Sequence, residues 1–143
     1  MWQLYQAVAV PSFMYSADVW FEPVDRSLEG RKARGSVGVL RKLASVQCIA
    51  TVAIMGALHT TATDTMEAHA NLWPMELLMH RICHRAAMWL AALPESHPLY
   101  KPVKITVHRD VKQHRSPLHQ LLHSFGIKLT NFETLSPVGH PPN

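Results

Sequence analysis

From Pro74 to Pro94 the chain reads PMELLMHRICHRAAMWLAALP. Its apolar residues recur at spacings of three and four, which is the period of one face of an α-helix. The opposite face carries charged and imidazole side chains, Pro74 suits the first helical turn, and Pro94 is positioned to end the helix. The stretch therefore predicts a long amphipathic helix. Its predicted buried stripe comprises Met75, Leu78, Met79, Ile82, Cys83, Ala86, Trp89, Leu90 and Leu93.

Two further helices are predicted upstream. Residues 2–21 carry apolar side chains at helical spacing, with a kink expected near Pro11. The face predicted to be buried there comprises Leu4, Ala7, Val8, Pro11, Tyr15 and Val19. Residues 36–56 begin at a capping Ser36 and end at Gly56. Their apolar stripe is broad enough to predict burial on more than one side, and it comprises Val39, Leu40, Leu43, Val46, Cys48, Ile49, Val52 and Ala53.

Shorter elements complete the helical pattern. Residues 61–64 read TATD, which has the form of a capping box, and they predict a short helix that continues to Ala70. Val103, Val107 and Val111 are spaced by four and favour a helix over a strand, despite their β-branched side chains. Residues 116 and 117, serine and proline, predict the cap and first turn of a last helix that Gly126 ends.

Together these elements predict an all-α fold, a small irregular bundle of about five helices with a proline-containing extended C-terminal tail. Residues 1–126 form the predicted helical domain, and residues 127–143 form the predicted tail. A charged loop at residues 22–35, punctuated by proline and glycine, interrupts the domain. A chain of 143 residues, 48% of them hydrophobic, is long enough and apolar enough to fold as one such domain.

The net charge permits contact with a polyanion without demonstrating it. Fourteen Lys and Arg against ten Asp and Glu leave +4, a value that ordinary basic domains also carry. The two cysteines lie in apolar stretches without CxxC spacing, which indicates reduced thiols in an intracellular protein, nuclear or cytoplasmic. Residues 1–21 show neither a basic amino-terminal region nor an uninterrupted apolar run. We therefore expect neither a signal peptide nor a membrane partner.

Basic residues gather in two stretches, and each is a candidate for contact with nucleic-acid phosphates. An ordinary solvated surface explains each cluster equally well, because Lys and Arg are surface residues. Some aromatic side chains could stack on bases, but most belong to apolar stripes and are expected in the core: Trp2, Tyr5, Trp20, Trp73 and Trp89. The candidate phosphate contacts are Arg26, Arg31, Lys32, Arg34, Arg41 and Lys42 in the first stretch, and Lys101, Lys104, Arg109, Lys112 and Arg115, with His108 and His114 beside them, in the second.

The sequence contains no complete catalytic or metal site. His80 and His84 have the spacing that zinc helices use, but Arg81 stands where a metalloprotease needs its glutamate, so we favour a solvated face over a metal site. The same spacing at His119 and His123 is interpreted as two ordinary surface groups. The carboxylates are scattered, and neither a GxSxG elbow nor a phosphate loop occurs. We therefore expect no enzyme activity and no cofactor.

Several short motifs follow one another in an order that spans nearly the whole chain. They are LYQAVAVP at 4–11, YSADVW at 15–20, LASVQ at 43–47, GALHTT at 56–61, LWPM at 72–75, RICHRAA at 81–87 and SHPL at 96–99, followed by HRSPLH at 114–119 and FETLSP at 132–137. This order resembles the segment that follows the polymerase domain in fungal-type non-LTR retrotransposon reverse transcriptases and leads to their ribonuclease H domain.

The resemblance implies a thumb and connector, whose helices pack beside the polymerase palm and hold template and primer through their backbones. The implied partners are an RNA or DNA duplex, bound without sequence preference, and the palm domain of a parent polyprotein. Neither the Tyr/Phe-x-Asp-Asp motif of the polymerase nor the acidic quartet of ribonuclease H occurs in this sequence, so neither activity carries over. Without a palm, an exposed apolar patch is expected at Trp2, Phe13, Tyr15 and Trp20.

Two other functions stay open. The chain could be a structural or protein-interaction helical module with no role in nucleic-acid binding. It could also be a small metal-dependent enzyme that uses His80 and His84, an interpretation that rests on their spacing alone.

Overall fold

The computed structural model describes residues 1–24, 35–109 and 116–134, and these residues are helical, with no strand among them. The all-α prediction is therefore confirmed. The elements are α1 (Trp2–Leu4), a π-helical turn (Tyr5–Ala9), α2 (Val10–Met14), α3 (Ala17–Trp20), α4 (Val37–Met55), α5 (Thr63–His69), α6 (Met75–Ala91), α7 (Tyr100–His108), α8 (Pro117–Ser124) and a 3₁₀ turn (Leu129–Asn131).

The chain divides into two compact units, Met1–Cys83 and His84–Asn143. The predicted division between residues 126 and 127 stays a prediction. Within the predicted extended tail, residues 127–134 contain the 3₁₀ turn, and residues 135–143 lie outside the described part of the chain.

The first helical segment buries a different face from the one predicted. Its buried residues are Tyr5, Met14, Ala17 and Phe21, whereas Leu4, Val8, Tyr15 and Val19 are exposed. In the π turn the Val10 N–H donates to the Tyr5 carbonyl, five residues back. That extra residue displaces the side chains after it by about 100° around the helix axis, so a regular helical period no longer identifies the buried face.

The helix breaks after Pro11 rather than at it. Pro11 fits within the first turn of α2, and the chain turns instead at Ser16, which adopts the left-handed conformation with φ 53°. Of the four residues predicted to form an exposed apolar patch, Trp2, Tyr15 and Trp20 are exposed, but Phe13 is half-buried against the Tyr5, Ala70 and Leu72 cluster.

The two ends of the basic loop at residues 22–35 are joined to each other. The Ser36 hydroxyl accepts a hydrogen bond from the Glu22 N–H at 3.0 Å, and the Ser36 N–H donates to the Glu22 carbonyl at 3.0 Å. Gly35 has a φ of 99°, and a Cβ there would lie 2.5 Å from the Pro23 carbonyl oxygen, so only glycine fits. Ser36 was predicted to cap α4, but its side chain makes no capping hydrogen bond and instead holds the base of the loop.

Helix α4 ends at Gly56 as predicted, but its apolar stripe is not buried on more than one side. Its buried residues are Leu40, Gln47 and Thr51, while Val46 is 51% and Ile49 68% exposed. The polar pair is buried because its hydrogen bonds are satisfied. The Gln47 amide donates to the Glu67 carboxylate at 2.6 Å and to the Trp73 carbonyl at 2.9 Å, and Thr51 donates to the Gln47 carbonyl at 2.7 Å.

Helices α5 and α6 lie where they were predicted, with two local differences. Ala62 occupies the N-cap position of α5 and no side chain caps the helix, so the predicted capping box is wrong. In α6 the buried residues Met75, Met79, Cys83 and Ala87 follow one another at a spacing of four, which confirms the helical stripe. Trp89 was placed in that stripe but is 53% exposed.

Helices α7 and α8 lie where helices were predicted, although Val111, the third valine of the α7 pattern, lies outside the described residues. Val103 is buried on α7, which is helical rather than extended. The Ser116 hydroxyl accepts from the His119 N–H at 3.3 Å, Pro117 lies in the first turn of α8, and Gly126 follows the helix at φ 58°. His119, which was expected at the surface, is buried. The thiols of Cys48 and Cys83 are free, and Cys83 is fully buried.

Candidate nucleic-acid interface

The excess positive charge of this protein belongs entirely to the second unit. Residues 84–143 carry seven Lys and Arg against three Asp and Glu, whereas residues 1–83 carry seven against seven. The second unit therefore holds the whole formal net charge of +4. Seven of the ten histidines also belong to it. Because the attraction of a polyanion depends on local excess charge, the second unit is the stronger candidate for phosphate contact.

Helix α7 presents two lysines on one exposed face. Lys101 and Lys104 are exposed and are followed at helical spacing by the exposed His108. The Lys104 ammonium lies 4.4 Å from the centre of the Tyr100 ring, and the Tyr100 hydroxyl donates to Glu95 at 2.9 Å. Hydrogen bonding with Tyr100 raises the pKa of Lys104 above its usual value. Its ammonium is therefore charged at neutral pH.

A basic cleft of about 290 Å³ lies between the end of α7 and helix α8. Two cationic side chains, Arg109 and Lys128, and two imidazoles, His119 and His123, line it together with apolar residues, and the described residues contribute no carboxylate to its lining. The imidazole rings of His119 and His123 are 6.3 Å apart between centroids. The left-handed turn at Gly126 reverses the chain after α8, which brings Ile127 and Lys128 to the same cleft.

The structure brings together only some of the predicted contacts. Lys101, Lys104 and Arg109 belong to the second unit and are exposed, and Arg41 and Lys42 are exposed on α4 in the first unit. The remaining candidates lie outside the described residues: Arg26, Arg31, Lys32, Arg34, Lys112 and Arg115.

Sequence reasoning missed Lys128. It lies nineteen positions after Arg109, outside both basic stretches, and no local pattern connects the two residues. The turn predicted at Gly126 was the one signal that the chain folds back. The four-residue spacing of His119 and His123 is visible in the sequence, but their place beside Arg109 depends on how α8 packs on α7.

The histidine pair on α6 gains no support as a metal site. His80 and His84 are both exposed. Among the residues that the structure describes, no group of three or more His, Cys, Asp and Glu is arranged to hold a metal ion. A structural zinc site ordinarily needs four such ligands and a catalytic site three.

Helix α4 is long and apolar enough to cross a membrane, judged by length and composition alone. Its mean hydropathy is 1.5 over an 18-residue window, of which 17% is buried within the protein. The sequence-based expectation of no membrane span rested on residues 1–21 and did not take this helix into account. The absence of a membrane partner stays a prediction.

The chain matches no protein-family model, no curated protein and no solved structure. The resemblance to the retrotransposon segment consequently rests on the order of the sequence motifs.

Proposed function

We propose that this chain is a non-catalytic helical segment of a retrotransposon reverse transcriptase that contacts nucleic-acid backbones without sequence preference. The observation that supports the proposal most directly is the basic cleft of Arg109, His119, His123 and Lys128, whose lining within the described part of the chain holds no carboxylate. Phosphate contacts of Arg and Lys position a protein on a duplex without reading its bases.

Under this proposal, the basic cleft and the α7 lysines make two kinds of contact with nucleic-acid phosphates. Arg109 offers a planar set of N–H donors suited to two phosphate oxygens, whereas Lys101, Lys104 and Lys128 act as compact point charges. Each contact releases condensed counterions from the nucleic acid. Four such cations predict weak binding whose logarithm falls with the logarithm of salt concentration at a slope of roughly −3 to −4 for a duplex.

Fluorescence anisotropy with the full chain tests this proposal. Labelled DNA duplex and RNA–DNA hybrid are titrated at about 50 mM and about 200 mM salt, a range over which several phosphate contacts change affinity by orders of magnitude. We expect binding to both duplexes at low salt, independent of their sequence, with the slope given above. Absence of binding at low salt by a chain whose circular dichroism is helical would refute it, and so would binding insensitive to salt.

A second candidate function is a protein-interaction module without a nucleic-acid role. The exposed apolar residues of α4 favour it, because Val46 and Ile49 lie on the surface of a long helix whose buried face is partly polar. Under this function, changing Val46 and Ile49 to glutamine should abolish self-association or binding of a hydrophobic dye while leaving the helix content unchanged. Light scattering and dye fluorescence would measure these changes.

A further inference from the structure

A second cleft, of about 290 Å³, lies wholly within the first unit and is independent of the basic cleft. Its polar and aromatic lining comprises Tyr5, Gln6, Gln47, Asn71, Trp73 and Arg81, and Val10, Leu72 and Leu78 complete it. Of the described residues, Arg81 alone brings a charge to that lining. The Glu67 carboxylate lies behind Gln47 and Tyr5, so the end of the cleft at Arg81 is the part that favours an anionic group.

The floor of this cleft is fixed by a buried hydrogen-bond network. Gln47 is buried, and its amide oxygen accepts from the Tyr5 hydroxyl at 3.3 Å. Its amide nitrogen donates to the buried Glu67 carboxylate at 2.6 Å and to the Trp73 carbonyl at 2.9 Å. Each polar atom of the Gln47 side chain is thus engaged, and a network of this kind holds its members in one arrangement.

The wall of the cleft is similarly fixed. Asn71 adopts the left-handed conformation at φ 52°, and the next N–H, that of Leu72, donates to the Glu67 carbonyl at 2.8 Å. This turn places Asn71 and Trp73 together in the lining. Preformed walls reduce the entropy lost when a ligand binds.

Trp73 and Arg81 supply two complementary groups at one end of the cleft. The Trp73 side chain is 52% exposed, and the Arg81 guanidinium lies 5.2 Å from the centre of its ring. A guanidinium that lies over an aromatic ring still carries several N–H donors, and a phosphate can accept hydrogen bonds from them. The exposed part of the indole offers a flat surface on which a heteroaromatic base can stack.

We propose that this cleft binds a nucleoside monophosphate, with the base against Trp73, the phosphate on Arg81 and the base edge facing the amides of Gln6 and Asn71. These amides can donate and accept hydrogen bonds, so they do not restrict the site to one base. The volume lies near the lower limit of known ligand sites and suits one nucleotide. The proposal stands on the first unit alone and does not depend on duplex binding by the second.

Isothermal titration calorimetry of the full chain with 5′-AMP tests the proposal, with adenosine, ribose 5-phosphate and inorganic phosphate as partial ligands. We expect one site that binds AMP more tightly than any of the three. Trp73→Leu should weaken AMP at least about tenfold, as the removal of one stacked base does, whereas Trp73→Phe should retain most of the affinity. Arg81→Gln should remove the advantage of AMP over adenosine.

Matched variants separate this site from general effects. Trp89→Leu and Arg85→Gln alter an equally exposed tryptophan and an exposed arginine of the second unit, and both should leave AMP affinity unchanged. Asn71→Gly keeps the left-handed backbone and should cost only a few-fold. No saturable AMP binding by the folded chain would overturn the proposal. Equal binding of phosphate and AMP would overturn it in favour of a simple anion site, and an equal reduction in Trp89→Leu would place the ligand elsewhere.

Discussion

Gln47 is a buried polar residue of α4 that links separate segments of the first unit. Its amide joins residues from three parts of the chain, Tyr5, Glu67 and Trp73. Burying a carboxylate such as Glu67 is unfavourable unless hydrogen bonds replace its water, and Gln47 provides one of them at 2.6 Å. The pKa of Tyr5 is raised by burial and, to a smaller extent, by the negative charge of Glu67.

We expect Gln47→Leu to lower the free energy of unfolding by about 3 kcal/mol, because it leaves the Glu67 carboxylate and the Tyr5 hydroxyl buried without this partner. Urea denaturation followed by circular dichroism measures the change. Gln6→Leu, an exposed glutamine in the same unit, should change stability by less than about 0.5 kcal/mol. The double variant Gln47→Leu with Glu67→Leu should be less destabilised than Gln47→Leu alone, since no carboxylate then stays buried. Greater destabilisation of the double variant would contradict this account.

The buried thiol of Cys83 makes the stability of the first unit depend on pH in the alkaline range. Burial, and to a smaller extent the charge of Asp18, raise its pKa from 9.0 to about 11. As pH rises, the unfolded chain releases this proton before the folded chain does. The stability contributed by the neutral thiol is therefore complete below about pH 9 and declines between pH 9 and 11.

Unfolding free energies measured between about pH 8 and 11 should consequently fall less steeply for Cys83→Ala than for the unaltered chain. Tyr5 titrates in the same direction in both proteins, so some decline will persist. Cys48→Ala, which changes the other, half-buried thiol, serves as the control and should keep the full pH dependence. Identical slopes for the unaltered chain and Cys83→Ala would show that the thiol does not contribute.

The apolar pattern of a helix locates its buried face better in α6 than in α4. Helix α6 buries Met75, Met79 and Cys83 of the apolar stripe that its period predicts, because its opposite face is charged, although Trp89 of the same stripe is exposed. Helix α4 buries Gln47 and Thr51 instead of Val46 and Ile49. A hydropathy pattern gives no weight to hydrogen bonds with residues distant in the chain, and those bonds orient α4.

The helix caps allow two opposite changes of stability. Ser116 caps α8 through its hydroxyl, so Ser116→Ala should cost about 1 kcal/mol. Ala62 occupies the N-cap of α5 without a capping side chain, so Ala62→Ser should increase stability by roughly 0.5 kcal/mol or more. Thermal denaturation of the two variants beside the unaltered chain measures both effects. Stabilisation by Ser116→Ala, or destabilisation by Ala62→Ser, would show that these caps are misassigned.

The two units of the molecule differ in net charge. The second unit carries the whole net charge of +4, and the basic residues of the first unit are matched in number by acidic ones. The cluster of basic residues between 26 and 42 therefore overstates the attraction of the first unit for phosphate. An equal number of acidic and basic residues in that unit leaves it without net charge. Lys101, Lys104, Arg109 and Lys128 have fewer opposing charges in their unit.

This division predicts unequal effects of charge removal on duplex binding. The double variant Arg109→Gln with Lys128→Gln should weaken duplex affinity and reduce the magnitude of the salt slope by about two. Each cation that is removed leaves one phosphate group of the duplex without a protein contact, so the counterions of that phosphate are not released on binding. Arg41→Gln with Lys42→Gln should have a smaller effect, and Arg85→Gln serves as a control of equal chemistry outside the basic cleft. Anisotropy titrations at several salt concentrations measure both quantities. A larger effect of the α4 pair would assign the phosphate contact to the first unit.

Local sequence was enough to predict the helical class, the approximate ranges of α4 to α8 and the ends marked by Gly56, Ser116 and Gly126, because these depend on local period and capping chemistry. It also determined which residues are basic. Tertiary packing buries Gln47 of α4 through hydrogen bonds with residues distant in the chain, and in the first helix a π turn that the apolar period does not reveal shifts the buried face. It likewise brought Lys128 beside Arg109, and Arg81 beside Trp73, because such pairs depend on packing rather than on local sequence.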